Sequence, residues 1–367
     1  MNVLPISAAQ ARRFALLATR ILTPMAGAGE ALQHLGYVQL DPLNVCGRMH
    51  DLVLRNRVQD YRPGALLEAL HGSAGGRLGF EHYIPGRGIL VAWPLSAYRY
   101  IRAHLSVPAP GSARRTFSPE ERRMGDTLLE QVRARGTLRS EDVEHPGRAQ
   151  TAWGTQGRLV KVVLEKLFAS GELAIVARRD FRRIYALPER VFAAVADQPP
   201  PTPEEFRRWA AGVRLRQRRL AVLRPSDAAL LGDVVQALRI EKRMTVYCLR
   251  EDLPLLDRVN APLPGEERTR LLAPLDPVIY DRGLTARLWE FAYTWEVYTP
   301  AHKRVRGYYS LPVLRDLEIL GDVEPRVDWQ RRRLTLRSRR VRRGVETRAA
   351  LAELAELADF LGVSAAR

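Results

Sequence analysis

Within the stretch YVQLDPL, residues 37–43, Gln39 and Asp41 stand two positions apart in an otherwise apolar run. Side chains at i and i+2 of an extended strand share a face, so an amide and a carboxylate would be aimed the same way. Two readings follow from that placement. One is a strand ending on a turn-forming Asp-Pro pair. The other is a carboxylate and an amide turned toward a ligand, able to hold a water molecule and take its proton.

The segment that follows, NVCGRMHDLVLRNRV, carries Asn44, Arg48, His50, Arg55 and Arg57. They form either a solvated helix face or a surface for phosphate. A carboxylate beside phosphate-binding residues repels DNA and has no place in a simple binder, but an enzyme acting on nucleic acid can use one. Hydrolysis of an N-glycosidic bond passes through an oxocarbenium-like sugar, which a carboxylate stabilises while it takes a proton from the attacking water. A purine alkylated at N7 is already cationic and leaves without a general acid. One carboxylate and one amide then suffice, where sugar hydrolases use two carboxylates.

Charge over the whole chain favours a polyanionic partner. The 367 residues hold 58 Lys and Arg against 41 Asp and Glu, a net charge of +17. Nucleic acid is the usual partner of such a surplus. Further basic clusters occur at ARRDFRR (Arg178, Arg179, Arg182), at TPAHKRVRG (His302, Lys303, Arg304, Arg306) and along residues 331–343, which hold eight arginines and no acid. Each phosphate that such residues neutralise releases condensed counterions, which supplies affinity without sequence readout. Cys46 and Cys248 are the two cysteines, which excludes a disulfide framework and cysteine-based zinc sites. No histidine spacing suggests a metal, so neither metal nor cofactor is expected. No run reaches the roughly 18 apolar residues of a membrane span, and the chain reads as soluble and cytoplasmic, associated with the nucleoid, with no membrane partner.

The elements that must position these residues read as an α+β chain of tandem modules. Proline-rich stretches near residues 108 and 200, and a third at 260–267, divide it. Ser118-Pro119-Glu120-Glu121 has the layout of a capping box opening a helix that runs to Gly136. A short element from Ser140, a helix ending at Gly171, and the runs ELAIVA and FRRIYAL complete the helix, helix, helix, hairpin order of a winged helix. Residues 1–107, 113–195 and, in shortened form, 200–262 repeat this order, the last with a helix expected from Ser226 to Leu238. Residues 267–344 turn to strand-like alternation, including the aromatic LWEFAYTWEVYTP, and suggest an antiparallel β-barrel. Residues 345–367 close the chain with an amphipathic helix.

Four long blocks resemble one known family: YVQLDPLNVCGRMHDLVLRNRV, LEKLFASGELAIVARRDFRRIYALPERV, LLAPLDPVIYDR and WEVYTPAHKRVRGYYSLPVL. The family is that of the YcaQ/AlkZ-type bacterial DNA interstrand-crosslink glycosylases. The resemblance implies tandem winged helices with a C-terminal β-barrel around a basic DNA channel. It implies a Gln-x-Asp catalytic motif at Gln39-Leu40-Asp41, of the YcaQ-like form, with both residues positioning and activating water. It also implies that the TPAHKRVRG segment is a hairpin probing the duplex. The expected activity is monofunctional excision of N7-alkylated purines, crosslinked ones included, from double-stranded DNA by a monomer, with no lyase step. A non-catalytic winged-helix binder or regulator is the competing expectation.

Overall fold

The computed structural model describes residues 2–72, 76–106, 117–151, 154–241, 244–341 and 345–365. The break expected near residue 108 lies outside them. The chain forms two compact units, one of Met1–Leu66 with Arg207–Arg367 and one of Leu67–Phe206.

The first unit carries two sheets. Val3–Ile6 lies parallel to Val235–Ile240, which pairs antiparallel with Met244–Leu249, and Leu220–Ala221 completes the order. The helix Ala8–Ala18 packs Phe14 and Leu17 into a core shared with Leu238, Val246 and Trp289. Its Ser7 cap accepts from the Gln10 backbone N–H and Gln10 answers to the Ser7 N–H, a reciprocal cap whose loss costs about 1 kcal/mol.

The second sheet of this unit runs in the order Arg270–Leu271, Leu311–Arg315, Glu318–Asp328, Arg333–Val341, Ser364–Ala365. Irregular registers at Val313/Leu314 and Glu324/Pro325 bend it into a curled half-barrel. Pro325 sits at the second of these, where the missing N–H breaks no regular ladder. The helix Val345–Phe360 packs Leu354, Leu357 and Ala358 into one core with Val313, Val327 and Leu334 of this sheet.

In the other unit, Ser118 and Glu121 form the expected capping box at the head of the helix Pro119–Arg135. The helix Leu159–Ala169 buries Leu159, Val163 and Leu167 against Leu128, Val132, Ile175 and Tyr185. A hairpin follows, Ala174–Arg179 with Arg182–Ala186, turned by Asp180 and Phe181 at φ 48° and 65°, left-handed conformations that suit a tight hairpin loop. A second hairpin pairs Gly79–Tyr83 with Leu90–Pro94.

Three expected elements come out differently. The element from Ser140 is a single 3-10 turn, Ser140–Asp142. The helix expected over 226–238 stops at Leu231, and Gly232 at φ 55° turns the chain into the strand Val235–Ile240. The aromatic stretch from Leu288 forms no strand. Residues 289–307 are held as an irregular loop by side chains that take the place of a ladder. Glu296 accepts the backbone N–H groups of Val305 (3.0 Å), Arg306 (2.7 Å) and Gly307 (3.1 Å). Tyr293 donates to the Ser310 carbonyl (2.6 Å) and Arg306 to that of Ala292 (2.5 Å). At Gly307, with φ at 104°, a Cβ would run into the Glu324 carboxylate, so the loop's return requires glycine there.

Candidate active site

The Gln39 segment leaves the helix Ala28–Leu35 through Gly36, whose left-handed φ of 73° lets its N–H cap the Leu32 carbonyl (3.0 Å). Tyr37, Val38 and Leu40 are buried and pin the segment from within. The Tyr37 hydroxyl also donates to Gln217 Oε1 at 3.1 Å. Strand geometry ends at Gln39, since the extended pair is Val38–Gln39. Asp41 continues past it because Pro42 bars the residue before it from the helical region.

Asp41 is 9% exposed. Its Oδ1 accepts the Leu43 backbone N–H at 2.9 Å, an Asx turn that fixes the carboxylate. Burial pushes its pKa above the usual aspartate value, against the lesser pull of the Leu43 N–H. An ionised carboxylate so raised is a stronger base toward water. Gln39 is half-buried, and its Oε1 accepts from the Tyr280 hydroxyl at 3.2 Å. Gln39 Nε2 and Asp41 Oδ2 carry no protein hydrogen bond among the described residues.

The loop after Asp41 folds back on itself. Arg48 Nη1 donates to the Pro42 carbonyl (3.2 Å), Asn44 bridges to Arg48 through the backbone, and Trp329 Nε1 donates to the Asn44 carbonyl (2.7 Å). The sequence offers the basic residues here as a solvated helix face or a surface for phosphate, and two of them fit neither. His50 is wholly enclosed. Arg57 is wholly enclosed as well, and its guanidinium makes two hydrogen bonds of 2.7 Å with Asp276, plus others with the Thr19 and Val53 carbonyls. Neither can reach phosphate from this position. Arg55, nearly buried, lies 3.1 Å from Glu353 and over the Phe360 ring.

The remaining basic residues divide by exposure. In their own unit, Arg179 and Arg182 project from the hairpin turn, while Arg178 is held by Glu81, with Nε 2.6 Å from Oε1. Glu81 is wholly buried, and His71 Nε2 lies 3.1 Å from its Oε1. Burial would raise the Glu81 pKa, but the hydrogen-bonded Arg178 guanidinium and the adjacent His71 ring outweigh it and hold the carboxyl down at about 2. On the loop braced by Glu296, His302 and Lys303 are exposed, with Tyr298 at 83% and Val305 at 77% beside them. Arg304 donates to the Thr299 carbonyl, and Arg306 is paired with Asp322. The structure thus separates a set open to solvent (Arg179, His302, Lys303, and Arg182, whose exposed guanidinium reaches Glu141 only at 3.5 Å) from a set held inside the protein.

The profile of a family described as DNA glycosylase AlkZ-like matches residues 32–360. The chain belongs to that family. It is therefore an enzyme that acts on DNA. Its fold is similar to that of the Streptomyces sahachiroi DNA glycosylase AlkZ, with a TM-score of 0.59 and 19% sequence identity over 99% of this chain and 98% of that one. Among the described residues no group of three His, Cys, Asp or Glu is placed to hold a metal ion, and no helix is long and apolar enough to cross a membrane.

Tyr280 escaped the sequence reading, although it lies in LLAPLDPVIYDR, one of the blocks that carry the family resemblance. Its loop is fixed on both sides. Asp276, paired with Arg57, caps the Val278 N–H (3.0 Å), and Arg282 donates to the carbonyls of Ile279 (2.8 Å) and Pro274 (2.7 Å).

Proposed function

We propose that this glycosylase hydrolyses the N-glycosidic bond of N7-alkylated purines in double-stranded DNA, crosslinked purines included, with Gln39 and Asp41 as its catalytic residues. The observation that carries the proposal is Asp41, a buried carboxylate of raised pKa, locked by its Asx turn two residues beyond the half-buried amide of Gln39. Water held by Gln39 gives its proton to Asp41 and its oxygen to C1′ of the deoxyribose. The C1′–N9 electron pair leaves with the purine, whose N7 cation it neutralises, and an abasic site remains. The reaction as proposed uses no metal and no Schiff-base lysine, so it has no lyase step, and one polypeptide copy suffices.

On this reading the exposed Arg179, Arg182, His302 and Lys303 contact the duplex, with Asn44 and Arg48 flanking the motif. The helix Leu159–Ala169 with its hairpin serves as a winged-helix-type module. The sequence-level modules 1–107, 113–195 and 200–262 are proposed as repeats of one ancestral plan, separate from the division into compact units.

Asp41→Asn tests the proposal. An asparagine can keep the Asx turn through its own Oδ1, so folding and salt-sensitive DNA binding persist. Release of 7-methylguanine from alkylated DNA under single-turnover conditions falls at least a hundredfold, the scale of a lost general base. A wild-type protein that binds DNA but releases neither 7-methylguanine nor a nitrogen-mustard crosslink would leave only the binding role.

A further inference from the structure

We infer that Tyr280 is a positioning residue for the glycosylase reaction, fixing which end of the Gln39 amide faces the attacking water. The inference rests on the catalytic reading of Gln39 and Asp41.

A glutamine amide has two chemically different ends of nearly equal size, and its last torsion is broad and roughly two-fold. Nothing in its shape decides whether oxygen or nitrogen points at a substrate. Here the decision comes from Tyr280, whose hydroxyl lies 3.2 Å from Gln39 Oε1. When that hydroxyl donates, the amide must offer oxygen to it and keep Nε2, a donor, for the other side. Arg218 favours this arrangement. Its guanidinium carbon sits 4.7 Å from the Tyr280 ring centroid, and its Nη1 lies 3.2 Å from Asp281 Oδ2. A cation over the ring face draws electron density from the phenol and makes the hydroxyl a better donor. The ring itself is placed by the loop pinned at Asp276 and Arg282, and Asp281 caps the helix Arg282–Leu288 through the Leu284 N–H (3.0 Å).

The orientation matters because the reaction needs a water with a particular polarity. An Nε2–H donor binds water through one lone pair. That leaves one water proton for Asp41 Oδ2, which has no protein partner among the described residues, and the second lone pair for C1′. The flipped amide would present Oε1 and take a water proton itself. With the water's two protons shared between Oε1 and Asp41, neither of its lone pairs would be held by the amide, and the orientation that the Nε2–H donor imposes would be lost. Tyr280 is thus separated from the reacting atoms by Gln39 and acts through it.

The test is Tyr280→Phe, which removes one oxygen and keeps the ring under Arg218. Single-turnover release of 7-methylguanine is expected to slow roughly three- to tenfold, the worth of one positioned hydrogen bond, with the KM for DNA and the melting temperature unchanged. In a Gln39→Ala background the same substitution is expected to change nothing further, because the amide it orients is gone. A Tyr280→Phe enzyme as fast as wild type would overturn the inference, as would equal slowing in both backgrounds, which marks a merely structural role. The contact is also read without activity. The Gln39 side-chain amide resonances, identified by their loss in Gln39→Ala, should shift in Tyr280→Phe. Unmoved resonances sink the inference even if the wild type is active. Resonances that move in a wild type releasing no alkylpurine would sink the catalytic reading of Gln39 and leave the contact standing.

Discussion

Asp276→Asn changes one atom in the ion pair that Arg57 makes with Asp276, and the enclosure of both side chains sets the size of the effect. Each is 0% exposed. The guanidinium donates twice to the carboxylate at 2.7 Å, to the Thr19 carbonyl at 2.9 Å and to the Val53 carbonyl at 2.8 Å. Asparagine keeps the shape and one acceptor oxygen but leaves the Arg57 charge uncompensated where no water reaches it. Breaking one side of a buried pair costs about 3–5 kcal/mol, a large part of the roughly 5–15 kcal/mol that holds a native domain. Arg57→Met should cost at least as much, since it strands the Asp276 charge and leaves two carbonyls unpaired at about 1–3 kcal/mol each. In the double variant Arg57→Met/Asp276→Leu no charge remains inside, and only the two carbonyls and the Val278 N–H that Asp276 capped lose their partners. Its loss should therefore fall several kcal/mol short of the sum of the single losses. Urea unfolding of the full chain followed by circular dichroism, compared at unchanged m-value, measures all three. An Asp276→Asn cost below about 1 kcal/mol, or strict additivity in the double variant, would refute the view that this pair braces the loop carrying Tyr280.

Two other outcomes follow from burial and exposure in the same way. The Glu81 pKa of about 2 lies below its ordinary 4.5, so the stability this group contributes is present above pH 4.5 and is lost as pH falls from there toward 2. At 1.36 kcal/mol per pKa unit the contribution is about 3 kcal/mol. Glu81→Gln should weaken the protein at neutral pH and flatten its acid unfolding in that window, and an unchanged acid profile would count against it. Arg179→Ala and Lys303→Ala should each lower the salt dependence of DNA binding by about one phosphate equivalent. Arg178→Ala, already paired in the native protein, should leave that slope unchanged while lowering stability. Equal slopes for Arg178→Ala and Arg179→Ala would contradict the division by exposure.

Legibility in the sequence followed the range of the interactions. The capping box at Ser118, the helix Leu159–Ala169, the hairpin after it and the strands Glu318–Asp328 and Arg333–Val341 were readable because each is determined within a few residues. The first part of the strand Val235–Ile240 was misread as the end of a helix; Met244–Leu249 pairs with it from nearby, but its other partner is Val3–Ile6, whose pairing no local window contains. The aromatic stretch from Leu288 misled for a different reason. Its buried apolar members include Trp289, Tyr293 and Val297, spaced by four rather than alternating, and side-chain bonds brace the loop where a ladder would run: Glu296 accepts the Val305 N–H, Tyr293 donates to the Ser310 carbonyl and Arg306 to that of Ala292. At the site, the Gln39 and Asp41 motif was visible by residue type and spacing. The burial of Arg57 and the role of Tyr280 were not, because arginine at a basic patch and arginine in an internal ion pair look alike until the partner Asp276 is in view.

The hydrogen bond between Tyr280 and Gln39 joins residues 241 positions apart, and that separation has a temporal side. At roughly 5–20 residues per second, a ribosome delivers Tyr280 on the order of ten seconds to most of a minute after Gln39. The whole of Leu67–Phe206 emerges in between. A nascent chain therefore carries the proposed catalytic pair for that interval with neither the phenol proposed to orient its amide nor the Asp276 that caps the phenol's loop. On the proposed roles, the order of synthesis completes the site only after Tyr280 has emerged.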